Sequence, residues 1–318
     1  MNPSRAAILS SMAAVTLLMQ PDCASASEGA LGRPITGLQV TSYAGVVPPT
    51  PGFSTMFGHV RYDGAIDASR EVPIAGIASL GLNAQVEMFT ATGIYIWDTA
   101  PGRWNYASMA TLGHIDVQVN ALVGVGPAAV RRADSTSGLY DLLFAPVIAS
   151  YHISETQHLS LALNVFAPIG DYEAGELANA GLNVWTTSPS IGYTQLMQGG
   201  TLELSALAAV DFYSRNGDTD YQNGAVMRVD ALMVKRFENG FGVGVVAGAI
   251  HQLQDDEGSL PDRLDGFKGR SLAFGPVVNY LKRWEGGQME LSLRWLNEFS
   301  VENRFRGEPL MFSASLAL

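Results

Sequence analysis

The sequence predicts an all-β chain, a transmembrane antiparallel up-and-down β-barrel of about twelve strands. Three observations predict it. Apolar and polar residues alternate at period two along most of the chain. The connections between the alternating runs are short and long by turns. Most of the runs are 10 to 15 residues long, where strands of soluble sheets center on about 5 to 6.

Composition bounds the class. Of 318 residues, 47% are hydrophobic and 15% charged, against roughly 25% charged in soluble domains. After residue 30 no run approaches the roughly 18 apolar residues of a transmembrane helix, so the apolar residues are dispersed. A net charge of -11 and the lack of Lys/Arg patches argue against nucleic acid as a partner.

Residues 1–26 read as an export signal. Arg5 gives a positive start, Ala6 to Met19 a mostly apolar run, and Ala24-Ser25-Ala26 a small-x-small cleavage site. The alternative is a short helix that stays attached. Cys23, the only cysteine, leaves with the signal, so the mature chain has neither disulfide nor thiol nucleophile. A lipoprotein role for Cys23 is weak, because Asp22 occupies a position that needs a small residue. Residues 27–52, rich in Gly and Pro, form an N-terminal periplasmic segment that can tuck into the barrel mouth, and 53–318 form the barrel.

Strands are expected near 54–67, 79–97, 105–123, 139–153, 158–167, 183–198, 201–213, 224–237, 240–254, 270–284, 287–299 and 308–318. Ile115, Val117, Val119, Ala121 and Val123 oppose His114, Asp116, Gln118 and Asn120. Leu82, Ala84 and Val86 oppose Asn83, Gln85 and Glu87. In NGAVMRVDALMVKRFENG (223–240), Met227, Val229, Ala231 and Met233 oppose Arg228, Asp230, Leu232, Val234 and Arg236, and Lys235 breaks parity where the strand reaches the interface. A β-sandwich or lipocalin-like barrel also alternates, with its apolar face inward; the strand lengths favor a membrane crossing, which takes roughly 9 to 11 residues plus extensions.

The short connections are DTAPGR, SETQ, QGG, EN and EGG. The long ones include VGPAAVRRADSTSG, PIGDYEAGELANAG, SRNGDTDYQNG, DDEGSLPDRLDGFKG and VENRFRGE. With both termini periplasmic, every second connection is a tight periplasmic turn and the others are extracellular loops. Trp97, Trp104, Phe237, Phe241 and Trp284 flank short turns, as an interfacial aromatic belt requires.

On this reading, parity places His59, Arg61, Glu87, His114, Asp116, Glu203, Asp211, Arg228, Asp230, Glu290, Arg294 and Glu298 on the lumen wall. Such groups either cross-brace the wall through paired charges or form a polar constriction that selects solutes. His152 and His158 fall at a periplasmic turn and His251 with the apolar face. No GxSxG, HExxH or glycine-rich phosphate loop occurs. The acidic loops NGDTDYQNG and DDEGSLPDRLD lack the spacing of a calcium loop. No catalytic residue, cofactor or metal is assigned.

Several segments resemble a family of bacterial outer-membrane proteins associated with meta-pathway phenol degradation. They are AGVVPPTPGF (44–53), GLYDL (138–142), PIGDY (168–172), NAGLNVW (179–185), NGDTDYQNG (216–224), Gln252 with Asp255 and Asp256, Gly275-Pro276, and ENRFRG (302–307). Two positions depart from that pattern: Tyr140 replaces a glycine, and the chain ends in Leu318 where barrels commonly end in Phe or Trp, although Phe312, Ala314, Leu316 and Leu318 still alternate. The resemblance implies an outer-membrane channel or transporter of a Gram-negative bacterium for passive uptake of small hydrophobic or aromatic compounds. Its partners would be outer-membrane lipid and lipopolysaccharide, the solute, and the barrel assembly machinery during biogenesis. The alternatives are a structural barrel with a closed lumen and a lipid-modifying barrel enzyme.

Overall fold

In a bilayer every backbone N–H and C=O needs a partner within the protein, and a sheet provides that only by closing on itself. The computed structural model describes residues 33–74, 77–123, 130–258, 261–262 and 267–317. The expected export signal, residues 1–26, lies outside the described residues.

The chain forms β1 (Gly52–Ile74), β2 (Ile77–Ile96), β3 (Trp104–Val123), β4 (Val130–Leu139) and β5 (Leu142–His152). Next come β6 (Gln157–Ala167), β7 (Thr186–Met197), β8 (Leu202–Tyr213), β9 (Val226–Arg236) and β10 (Phe241–Gln252). The last are β11 (Arg270–Trp284), β12 (Gly287–Trp295), β13 (Asn297–Glu302), β14 (Arg306–Gly307) and β15 (Leu310–Ala317). Three of the staves are broken: β4 and β5 both pair with β3, β12 and β13 with β11, and β14 and β15 with β1. The result is a closed antiparallel barrel of twelve staves, sealed where β1 meets β15 from Ser54↔Ala317 to Arg61↔Leu310.

Two stretches are more regular than alternation suggests. β1 continues to Ile74, and β4 occupies the reach of VGPAAVRRADSTSG expected as loop. Arg131, Arg132, Asp134, Ser135 and Thr136 are polar on both faces of β4. Its pairing with β3 therefore leaves no period-two signature and rests on backbone hydrogen bonds along the extended β3 edge.

Around the ring, residues of the expected lipid face are exposed: Met227, Val229 and Met233 on β9, Val243 on β10, Leu272, Phe274 and Val278 on β11, and Leu293 on β12. Trp104 and Tyr151 pack in a tilted arrangement near one rim, their ring centroids 4.9 Å apart.

Strands β1, β2 and β3 are 23, 20 and 20 residues long, about twice a crossing. At about 3.3 Å per residue the added length carries them well past the span of a crossing. Along Val60–Ile66 of β1, Leu82–Met88 of β2 and His114–Ala121 of β3 the apolar side chains are the inward ones, and parity is interrupted further out, at the bulges between Ile66 and Glu71 of β1 and between Leu80 and Leu82 of β2. Tyr62, Leu82, Ala84, Ile115, Val117, Val119 and Ala121 point inward and form a core with Leu177, Ala178, Ala180, Phe267 and Phe305 of the long connections. The alternate residues face outward into water. The expectation that His59, Arg61, Glu87, His114 and Asp116 line the lumen is therefore corrected. All five stand on the outer face and pair along it, with His59 Nε2 4.0 Å from Glu87 Oε1, His114 Nε2 3.7 Å from Asp116 Oδ1, and Arg61 Nε 3.4 Å from Asp63 Oδ2. His59 also stacks on the outward-facing Phe89, 4.3 Å between centroids. Alternation reveals the period, and what surrounds the strand decides which face is wet.

This assignment makes a paired prediction. Val229→Arg, on the lipid band, should lower the unfolding free energy in bilayers by roughly 2–4 kcal/mol. Gln85→Arg, on the outward face of the β2 extension, should change it by less than about 0.5 kcal/mol. Urea titrations of the two variants check both, and equal losses would place Gln85 in lipid.

Candidate functional site in the barrel lumen

A segment that enters the lumen without joining the sheet must find partners for its amides and carbonyls, because each buried unpaired one costs about 1–3 kcal/mol. Residues 33–50 are such a segment. They run down the inside of the barrel from the rim of the long connections to the rim of the short turns, and β1 begins at Gly52. The segment fills the axis of the barrel rather than its mouth.

The wall supplies the missing partners. At the outer end, Arg33 donates from Nη1 to Asp141 Oδ2 at 2.8 Å, from Nε to Thr186 Oγ1 at 2.6 Å and from Nη2 to the Val184 carbonyl at 2.7 Å. Thr36 Oγ1 donates to Glu298 Oε1 at 2.7 Å. The Gly37 and Gln39 amides donate to the two oxygens of Asp230, at 3.1 and 2.9 Å. Arg294 Nη1 donates to the Val40 carbonyl at 2.7 Å. Ser42 Oγ donates to Glu290 Oε1 at 2.7 Å and the Tyr43 amide to Glu203 Oε1 at 2.6 Å. Near the short turns, Ser160 and Ser150 donate to the carbonyls of Ala44 and Gly45, both at 2.8 Å.

Of the twelve residues expected on the lumen wall, seven are brought inside: Glu203, Asp211, Arg228, Asp230, Glu290, Arg294 and Glu298. Six are buried and Glu290 is half-buried. Five of them bond the segment directly. Arg228 and Asp211 form their own pair at 3.4 Å and share Ser188 Oγ. Arg236 spans Glu203 and Glu290 with its guanidinium over the Tyr43 ring, 4.7 Å from the centroid. Sequence parity put Arg236 on this face, but it was not among the expected site residues. Arg33 and Asp141 were also missed: Arg33 precedes the first expected strand, and Asp141 sits near the start of the 139–153 run, where its place in GLYDL was the signal.

Two glycines make the close approach possible. A Cβ on Gly248 would collide with the Gly37 amide, and one on Gly192 with the Ala44 carbonyl.

At the outer end of the segment lies a cavity of about 120 Å³. Its walls are Ala84, Val86, Met88, Ile115, Val117, Leu182 and Phe305, and its polar rim is Arg33, Tyr62, Tyr140, Asn179, Glu298 and Arg304. Tyr62 Oη donates to Glu298 Oε2 at 2.7 Å.

The long connections that roof this cavity are tied by the same short stretches that stood out in the sequence. Asp141 of GLYDL accepts the amides of Gly170 and Leu182 at 2.9 and 3.0 Å, as well as Arg33. Asp171 of PIGDY accepts the Leu139 amide at 2.8 Å. In NGDTDYQNG, Asp218 accepts from Asn183 Nδ2 at 2.8 Å. Asp256 accepts from the Tyr221 hydroxyl, the Gln252 amide group and the Gly224 backbone amide. These polar landmarks are loop joints, and one of them, Asp141, holds Arg33 at the cavity.

A family profile described as "Putative MetA-pathway of phenol degradation" matches residues 68–314. No curated protein matches the sequence. Among solved structures the chain is similar to an outer membrane channel from Pseudomonas putida F1, at 15% identity and a TM-score of 0.64, over 88% of this chain and 99% of that one. It also resembles the β domain of the Bordetella autotransporter BrkA, at 9% identity and a TM-score of 0.49, over 83% and 99% of the two chains. A Pseudomonas aeruginosa FadL homologue matches at 9% identity and a TM-score of 0.43, over 92% and 99%. The first of these likenesses shows the fold, that of a closed outer-membrane barrel.

Burial pushes the Asp256 carboxyl up to about 6, against the opposing hydrogen bonds from Tyr221, Gly224 and Gln252. Its folded value lies above the unfolded one of about 3.9, so the loop joint is firmest below about pH 4 and loosens as pH rises through 6. Amide exchange at Gly224 should accelerate over that window beyond the intrinsic pH effect. Asp256→Asn should flatten the excess, and an unchanged profile would detach the joint from Asp256.

Proposed function

We propose that this chain, which belongs to the family described as "Putative MetA-pathway of phenol degradation", is a passive route by which small hydrophobic or aromatic compounds cross the outer membrane. The observation that carries the reading is the outer cavity, apolar in its walls, polar at its rim and sized for a single ring. An apolar cavity of roughly 150 Å³ accepts benzene. The inward-facing charges are committed to the segment or to each other, which supports a route for uncharged solutes over one for ions.

We assign Glu203, Asp230, Glu290, Arg294 and Glu298 the role of seating the segment, and Asp211 with Arg228 that of bracing the wall. The outward apolar band would face outer-membrane lipid, and the polar collar of His59, Arg61, Glu87, His114 and Asp116 would meet lipopolysaccharide. The barrel assembly machinery would engage the last strand, β15. No reaction, cofactor or metal is part of this reading.

Uptake by cells depleted of their general porins tests it. Cells carrying the chain should accumulate radiolabeled toluene and phenol faster than cells carrying empty vector, with raffinose uptake unchanged. Equal aromatic uptake would sink the proposal. Gly248→Leu, which displaces the segment at Gly37, should admit raffinose and raise single-channel conductance several-fold; wild-type conductance in this variant would mean that the segment does not set the width of the lumen.

A further inference from the structure

Two imidazoles that the proposed route leaves unused meet at the rim of the short turns. His152 of β5 and His158 of β6 are direct cross-strand partners, the last registered pair before their connection, 153–156. Their Nδ1 atoms lie 2.6 Å apart, with the rings nearly perpendicular at 80°. His152 Nε2 lies 2.7 Å from Asn105 Oδ1 of β3. An amide oxygen only accepts, so Nε2 carries the His152 ring proton and the lone pair sits on Nδ1, directed at His158. Metal-ligating histidines are oriented in this way, with the far N–H held by an oxygen so that the near nitrogen presents its lone pair. The Nδ1 atom of His158 faces the same point.

We propose that this pair is a binding site for a divalent cation of the zinc type, held by His152 Nδ1 and His158 Nδ1, with Asn105 as the positioning residue. As the hairpin stands, His158 Nδ1–H donates to His152 Nδ1. Zinc takes the place of that proton, which ends on His158 Nε2, so both rings stay neutral. Zinc–imidazole bonds of about 2.0–2.1 Å put two nitrogens of a tetrahedral site roughly 3.3 Å apart, a small opening of the two rings. Among the described residues no third histidine or acidic side chain completes the set. His152 is half-buried at the rim, so water fills the remaining positions. Two nitrogen donors favor zinc, nickel or copper over calcium and magnesium, which take oxygen ligands. On the same inward face, Ser150 and Ser160 are also direct partners, and they donate to the carbonyls of Gly45 and Ala44. The cation thus cross-links the hairpin beside the row that seats the inner end of the segment. His59 and His114 lack this arrangement, since Phe89 stands between them in the register and each faces a carboxylate.

The test is calorimetric titration of the purified full chain, free of any polyhistidine tag, with zinc chloride in detergent near neutral pH. The unaltered chain should bind a single zinc ion and gain melting temperature from it, and calcium chloride should do neither. His152→Ala and His158→Ala should each abolish both effects. Asn105→Ala should weaken zinc roughly 10- to 100-fold, the usual cost of losing an orienting partner. The His59→Ala/His114→Ala double variant should bind as the unaltered chain does. Copper supplied at one equivalent should show two nitrogen ligands by electron paramagnetic resonance in the unaltered chain, a readout that needs no variant to fold. An unaltered chain that takes up no zinc would overturn the proposal, as would a copper spectrum with a single nitrogen. Zinc binding that survives His158→Ala in a variant that melts normally, or that vanishes with His59 and His114 instead, would overturn it too.

Discussion

The backbone amides of the inner segment end on carboxylates of the barrel wall, and most of the molecule follows from that. An extended segment outside the sheet lacks a ladder to satisfy it, so the wall must present acceptors at the spacing of its amides. Asp230 takes Gly37 and Gln39 with its two oxygens, and Glu203 takes Tyr43. Carboxylates buried in this way need their own compensation, which brings Arg236 between Glu203 and Glu290 and over the Tyr43 ring. The glycines at 192 and 248 follow from the same requirement, since a side chain at either would hold segment and wall apart.

The segment also determines where apolar space remains. Its middle is packed against Leu232, Val234, Val246 and Leu296 through Leu38 and Val40. At Arg33, Pro34 and Ile35 it stands off from β1, β2 and β3, and the gap is the outer cavity. The loops close over that gap because Asp141 joins Arg33, Gly170 and Leu182 in one hydrogen-bonded node.

The barrel itself was legible because alternation, turn lengths and aromatic placement are local properties, and each strand carries its own copy of them. On β8, β9 and β12 the polar face read from sequence is the inner one, as at Glu203, Asp230 and Arg294. On β1 to β3 the same rule misplaces His59, Glu87 and His114, because the sequence does not mark where bilayer gives way to water along a strand twice the needed length. β4 escaped notice for a related reason: its outward face is wet and its inward face bonds the 175–178 connection through Arg132 and Asp134, so both faces are polar and nothing alternates. The segment's contacts were beyond reach for another reason. Arg33 meets Asp141, and Thr36 meets Glu298, across sequence separations that no periodicity spans. The landmarks GLYDL, PIGDY and NGDTDYQNG signaled their importance, but as patterns without geometry; only the folded chain identifies them as joints.

Pro48, Pro49 and Pro51 turn the chain from the inner segment into β1. The occupant of the lumen is therefore a tethered ligand, covalently attached to the wall that binds it. Its local concentration is of millimolar order whatever the abundance of the protein, so individually modest hydrogen bonds suffice to keep it seated, and a displaced stretch returns without a diffusional search. Any widening of the lumen is then a matter of how much of the segment peels back at a given moment, beginning away from the proline anchor.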